Sequence, residues 1–135
     1  METLNSLLKV LFPFKGYKSV VHQNDSKILV LLRSRRKCGI CPSCDKRCRD
    51  VETVYARAVR DLDISQQQCF LIIPEKKIRC KCGYRGIEKL DFVSKSRRVT
   101  QRMETYVVGL AEKMSLVDVA QIVRLDWKTI KEIGK

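Results

Sequence analysis

Cys41-Pro42-Ser43-Cys44 and, further along the chain, Cys80-Lys81-Cys82-Gly83 are the stretches on which the fold of this sequence turns. A thiolate is a soft ligand, and four of them at about 2.3 Å complete a tetrahedral shell around Zn2+. A Cys-x-x-Cys turn with Pro after its first Cys wraps two sulfurs around one side of an ion. A second close pair, delivered by a later hairpin, closes the other side, which is the logic of a zinc ribbon. Four protein ligands leave no open position for water, so the expected zinc is structural and not catalytic. The segment around the first pair, Lys37–Asp50, is poor in apolar residues and needs something other than a core to order it.

The chain has seven cysteines, and no secretion signal is expected, since Leu7–Phe14 is broken by Lys9 and Pro13 and lacks a cleavage pattern. An odd count in that setting argues against a disulfide framework and for a metal site. Cys38, Cys41, Cys44 and Cys48 together read Cys-x2-Cys-x2-Cys-x3-Cys, a spacing that iron–sulfur proteins also use. Arg49 stands where such runs carry Pro, and the surroundings are basic, so the iron–sulfur protein is the lesser alternative. Cys38 or Cys48 could still replace one zinc ligand. Cys69 lies in an apolar run and is expected as a buried thiol, and His22, the single histidine, as a structural residue.

The 135 residues carry a formal charge of +13. That charge is segregated: residues 27–49 and 74–102 each sum to +7, and the remainder is close to neutral. If the two cysteine pairs meet, both basic blocks converge on one module and create a field that attracts a polyphosphate. No stretch has the roughly 18 consecutive apolar residues of a membrane span. The expectation is a soluble cytoplasmic protein whose partner is double-stranded DNA, with no membrane and no small-molecule substrate. No nucleophile–base pair and no open metal site is legible, so an enzyme is not expected.

Leu4, Leu7, Leu8 and Leu11 predict a short amphipathic helix ending before Pro13. Tyr17–His22 and Lys27–Arg33 flank Gln23-Asn24-Asp25-Ser26 and predict a hairpin. Thr53–Arg60 and Gln68–Ile73 predict two more strands around a turn near Asp61–Ser65. From residue 100 the period becomes helical: Met103, Tyr106, Val107, Leu110, Ala111 and Met114 form one stripe, with Thr100 as N-cap. Ser115 starts a second helix with Leu116, Val119, Ala120 and Val123 inward. Asp126 caps a third with Trp127, Ile130 and Ile133 inward. These last two fit a helix-turn-helix, although Arg124 occupies the turn where Gly is common, which implies a wider or strained turn. The outward side of the third helix offers Lys128, Thr129, Lys131, Glu132 and Lys135. In the helix-turn-helix mode that face enters the major groove. The expected base or groove contacts are Lys128, Thr129 and Lys131, with Arg97, Arg98 and Arg102 on phosphates.

The expected fold class is therefore α+β. Residues 1–93 form a small β-rich, zinc-ribbon-like domain, with an N-terminal helix and hairpin over 1–37 and the ribbon over 38–93. Residues 94–135 form a helical helix-turn-helix domain, with the boundary near Ser94–Arg98.

The order CPSC, strand pair, IRCKCGYRG and LDFVSKSRRVTQRMETYVVGLAEKMSLVDVAQIVRLDWKTIKEI resembles the N-terminal half of insertion-sequence transposases of the ISL-three family. The resemblance covers roughly residues 38–135. It implies a zinc-finger region followed by a helix-turn-helix, zinc ligation by Cys41, Cys44, Cys80 and Cys82, and a part in transposition, a form of DNA recombination. Cys80-x-Cys82 is tighter than the family's usual spacing. In that family an RNase-H-like catalytic domain follows, whose three carboxylates hold two metal ions. Asp61, Asp63 and Asp91 have no context for that role. The expectation is thus the DNA-recognition part without the catalytic domain, directed at transposon terminal repeats or an operator-like site. The rival reading is a protein-interaction module that dimerises, or regulates a full-length transposase, through the 103–114 stripe.

Overall fold

The computed structural model describes residues 2–94 and 97–133, with side chains from residue 6 onward except that of Trp127. It contains α1 (Glu2–Leu11), β1 (Tyr17–Asn24), β2 (Lys27–Ser34), β3 (Gly39–Ile40), β4 (Arg47–Cys48), β5 (Val51–Ile64), β6 (Gln67–Arg79), β7 (Arg85–Ile87), α2 (Gln101–Ala111), α3 (Leu116–Val123) and α4 (Trp127–Ile133). The main sheet runs β1-β2-β6-β5, with β7 also paired to β6; β3 and β4 form a separate two-stranded ladder. The fold is α+β, with a dominant sheet and several helices.

The first hairpin forms as its sequence predicts. Asn24 pairs with Lys27 around a two-residue loop in which Asp25 adopts φ 49°. The second hairpin is much longer than the 53–60 and 68–73 prediction. Ile64 pairs with Gln67, and Ser65 and Gln66 both have positive φ (50° and 67°). Two successive positive φ values are what a tight hairpin loop demands, since they match the right-handed twist of the strands. This loop meets the demand without Gly. Residues 61–64 therefore belong to a strand and not to a turn. β2 and β6 pair in parallel, Lys27 with Gln68 through Leu31 with Ile72.

Side chains alternate across a strand, and β6 shows the consequence: Cys69, Leu71 and Ile73 are all fully buried on one face. They join Val30, Leu32, Val59, Phe12, Phe14 and Val93 in the core of the sheet. Phe14 stacks on Phe92 with ring centroids 4.3 Å apart, which ties the leader to the segment that closes the core. A separate helical core gathers Val99, Met103, Val107, Val119, Val123 and Ile130.

Three caps form as predicted. Thr100 accepts from the Met103 N–H, Ser115 from Asp118, and Asp126 from Thr129 at 2.8 Å. Two apolar assignments need correction. Tyr106 (46% exposed) and Leu116 (37%) face away from the helical core. The inward face of α2 is carried by Met103, Val107, Leu110 and Ala111, and that of α3 by Val119, Ala120 and Val123. Gly109 marks no close approach, because a Cβ built there meets nothing within 4 Å. Arg124 is left-handed (φ 56°, ψ 44°), so the turn carries the strain its sequence implied. No described helix is long and apolar enough to cross a membrane.

Candidate metal centre and nucleic-acid interface

The cysteine pairs meet. The Sγ atoms of Cys41, Cys44, Cys80 and Cys82 all lie within 4.8 Å of one another. Cys41–Cys82 and Cys44–Cys80 are each 3.6 Å apart. A tetrahedron with metal–sulfur bonds of about 2.3 Å has sulfur–sulfur edges of about 3.8 Å. Four free thiols at these separations therefore fit a metal ion, and the all-sulfur set is compatible with zinc.

Local chain geometry explains how the sulfurs are presented. In the first pair the Ser43 N–H points at Cys41 Sγ (3.4 Å), and Asp45, at φ 60°, donates its N–H to Cys41 O. β3 and β4 then close the loop, with Cys41 N–H on Lys46 O. In the second pair Gly83 holds φ +102° and donates to Cys80 O, a conformation side chains rarely adopt. The x-Cys spacing between Cys80 and Cys82 is accommodated by this turn. The Lys46 backbone draws the Cys44 thiol down, but desolvation and the sulfurs of Cys80, Cys41 and Cys82 outweigh it and push it up to about 12. A bound cation reverses that balance, since it binds the thiolate.

The remaining cysteines fall outside the cluster. Cys48 is buried and donates to Arg79 O at 2.6 Å, and Cys38 is half-buried. Cys69 is fully buried, and desolvation pushes its thiol up to about 12. The run Cys38–Cys48 therefore does not converge on one point. His22 is exposed on β1, away from the sulfurs.

By sequence Lys76 is only one charge of the 74–102 block. Its ammonium is buried and donates to Ser34 Oγ (2.8 Å), Arg36 O (2.7 Å) and Cys38 O (2.9 Å). It thereby pins the strand end that feeds the first cysteine loop. No local pattern announces such a role.

The basic blocks divide into engaged and available charges. Glu52 gathers Arg79 and Arg85 at 2.6 Å and Lys77 at 3.8 Å, and the Arg85 hydrogen bond holds its carboxyl below the usual range. Arg57 pairs with Glu75, and Lys89 with Asp45. Lys46, Arg47, Arg49 and Lys81, all exposed around the cysteine cluster, have no ion-pair partner among the described residues. A cleft of about 940 Å³ separates this module from the helical end. Arg57, Lys89, Arg97, Arg98 and Thr129 line it.

Among the sequence-predicted contacts, Arg98, Lys128 and Lys131 are exposed. Thr129 is half-buried, with its N–H on Asp126, and hydrogen bonds from the Thr129 side chain and backbone hold the Asp126 carboxyl below its usual range. Arg97 is half-buried and reaches Glu132 O at 3.3 Å. Arg102 is engaged internally: its guanidinium makes a two-pronged pair with the buried Asp61 and lies 5.1 Å from the Phe14 ring. As half of a neutral pair it offers a phosphate much less than Arg98 does. Lys135, and Lys95 and Ser96 at the expected boundary, lie outside the described residues.

Two comparisons with known proteins place similarities on this chain. The family model described as the helix-turn-helix domain of transposase family ISL3 matches residues 88–133, a span that includes α2, α3 and α4. A transposase for insertion sequence element IS1001 from Bordetella parapertussis is 31% identical over 107 residues, which are 78% of this chain and 26% of that protein. The chain thus spans about a quarter of the length of this curated relative. No solved structure matches it. Residues 88–133 are thus similar to the helix-turn-helix domain of the ISL3 transposase family, and most of the chain is similar to part of an insertion-sequence transposase.

Proposed function

We propose that this chain is a zinc-stabilised, sequence-specific DNA-binding protein that recognises transposon terminal repeats or a similar operator-like site. The observation that carries the proposal is the helix-turn-helix family match over 88–133 in a chain of net charge +13. In this reading residues 1–93 and 94–135 are the two working units. Cys41, Cys44, Cys80 and Cys82 hold one structural zinc, which orders a loop that presents Lys46, Arg47, Arg49 and Lys81. α3 and α4 act as the helix-turn-helix, with Lys128, Thr129 and Lys131 toward the bases and Arg97, Arg98 and, to a lesser degree, Arg102 toward phosphates. Backbone contacts set position and base contacts set sequence. Such a module binds DNA in the cytoplasm of the host cell and leaves strand transfer to a catalytic part.

Selection of bound duplexes from a random pool, followed by titration over salt, tests the proposal. If about six phosphates are neutralised, log K against log salt has a slope near −5. Arg98→Ala is expected to weaken binding to every sequence and lower that slope by about 1, whereas Lys131→Ala blurs the sequence preference. Salt-insensitive association, or equal loss of discrimination in both variants, contradicts the assigned roles.

A second reading has one observation in its favour. Tyr106 and Val108 on α2 and Val117 and Ile122 on α3 are more than 40% exposed, which is apolar surface of the kind a homodimer or a full-length transposase would cover. The 103–114 stripe itself is turned inward at Met103 and Val107. Partner binding that persists at high salt, with weak unspecific DNA binding, would favour this second reading.

A further inference from the structure

The strand end Arg60-Asp61-Leu62-Asp63 does something that neither metal nor DNA contact requires. Arg60 pairs across the ladder with Phe70, and Asp61 with Cys69, so the two side chains leave β5 on opposite faces. Both are nevertheless buried, at 4% and 0% exposure. Each is covered by a different helix.

Asp61 accepts from Thr100 Oγ1 at 2.9 Å, where Thr100 is the N-cap of α2. Its negative charge thus sits at the positive end of that helix. Arg60 goes the other way. Its guanidinium donates to Val123 O at 2.9 Å and Arg124 O at 3.5 Å, the terminal carbonyls of α3. A cation there complements the negative end of a helix and satisfies carbonyls that the helix leaves open. Asp63 then bridges two arginines, Arg60 of its own strand and Arg124 of the turn. Arg124 Nη2 lies 2.6 Å from Asp63 Oδ2 and 2.8 Å from Gln66 O in the hairpin loop. The left-handed residue between α3 and α4 is therefore tied by its own side chain to the tip of the β5–β6 hairpin.

We propose that Asp63 and Arg124, seated on Arg60, form a latch that fixes the angle of α4 against the sheet, which makes the hairpin tip a positioning element for DNA recognition. The functional half of this rests on the proposed helix-turn-helix role of α3 and α4; the structural half does not. A helix of only seven residues has little rigidity of its own. Its aim comes from what holds the preceding turn, and here a non-Gly residue is kept in a strained conformation so that its side chain can reach the sheet.

Arg124→Gly and Asp63→Asn in the full chain test the latch. Gly adopts the left-handed conformation freely and removes the tether, while Asn keeps the shape of Asp63 and removes its charge. In both variants hydrogen exchange at the α4 amides of residues 130–133 is expected to speed up about tenfold, with β6 amides unchanged. The Kd for the selected duplex rises about tenfold while that for random duplex stays constant, and Arg124→Lys recovers part of both losses. Unchanged α4 exchange overturns the latch, and so does exchange that accelerates equally in β6, which would make these residues general supports of the fold. If the unaltered chain prefers no duplex, the DNA-binding proposal fails while the exchange data still decide the latch.

Discussion

Cys44→Ser or Cys80→Ser, or removal of metal from the unaltered chain with a chelator, is expected to release residues 38–50 from the fold. The reason is the scarcity of other support. Among the described residues, the hydrophobic cluster around the sulfurs buries Cys41, Cys48 and Ile78, with Val51, Cys44, Cys80 and Tyr84 partly covered. β3 and β4 contribute two paired positions, too few to stand alone. Structural zinc in small fingers contributes on the order of 10 kcal/mol of folding free energy. The β1-β2-β6-β5 core is independent of it, so the loss stays local. Limited proteolysis should cut within 38–50 in the variants and in the chelated chain, and zinc should restore resistance in the unaltered chain alone. DNA affinity should fall with it, because Lys46, Arg47 and Arg49 lose their fixed placement. Equal resistance with and without metal would contradict this.

Asp61→Asn is expected to lower stability by about 2–3 kcal/mol. Breaking a buried pair by removing one partner costs about 3–5 kcal/mol, and the Arg102 side chain is 34% exposed, so water recovers part of its charge. Asp61 also holds the Thr100 hydroxyl, which caps α2, and its hydrogen bond to Arg102 holds the guanidinium proton more tightly than usual. For a chain of this size the change corresponds to a fall in Tm of roughly 10 °C. Thermal unfolding followed by circular dichroism measures it. Arg102→Leu in the Asp61→Asn background should recover much of the loss, because it removes the orphaned charge. A fall of only 1–2 °C would show that the pair is surface-like in its energetics.

The parts of the fold written in local chemistry were legible beforehand. Pro42 between the first two ligands, Gly83 after the fourth, and the capping residues Thr100, Ser115 and Asp126 each act within a few positions of themselves. Their partners are close in sequence, so residue type and spacing carry the information. The first hairpin was legible for the same reason. What escaped depends on distant partners. Asp61 and Asp63 resemble turn residues until Arg102, Thr100 and Arg124 are seen to meet them, about 40 and 60 positions away. The loop at Ser65-Gln66 lacks the Gly that normally announces a tight hairpin, so the sequence pattern alone makes β5 and β6 too short. Parallel pairing of β2 with β6 leaves no mark in either strand, because both simply read as apolar. Arg102, a phosphate contact by its place in a basic block, is held inward by Asp61, and Lys76, one more charge by sequence, anchors three acceptors through its ammonium. Charge counts locate a field; burial and partners decide which residues project it.

X-ray absorption on the purified full chain, with metal quantified in the same sample, tests the claim on which the rest stands. One zinc per chain, surrounded by four sulfur neighbours at about 2.3 Å, is the predicted result. A shell containing nitrogen or oxygen, an iron edge with visible colour, or a folded chain with resistant residues 38–50 and no metal would contradict it.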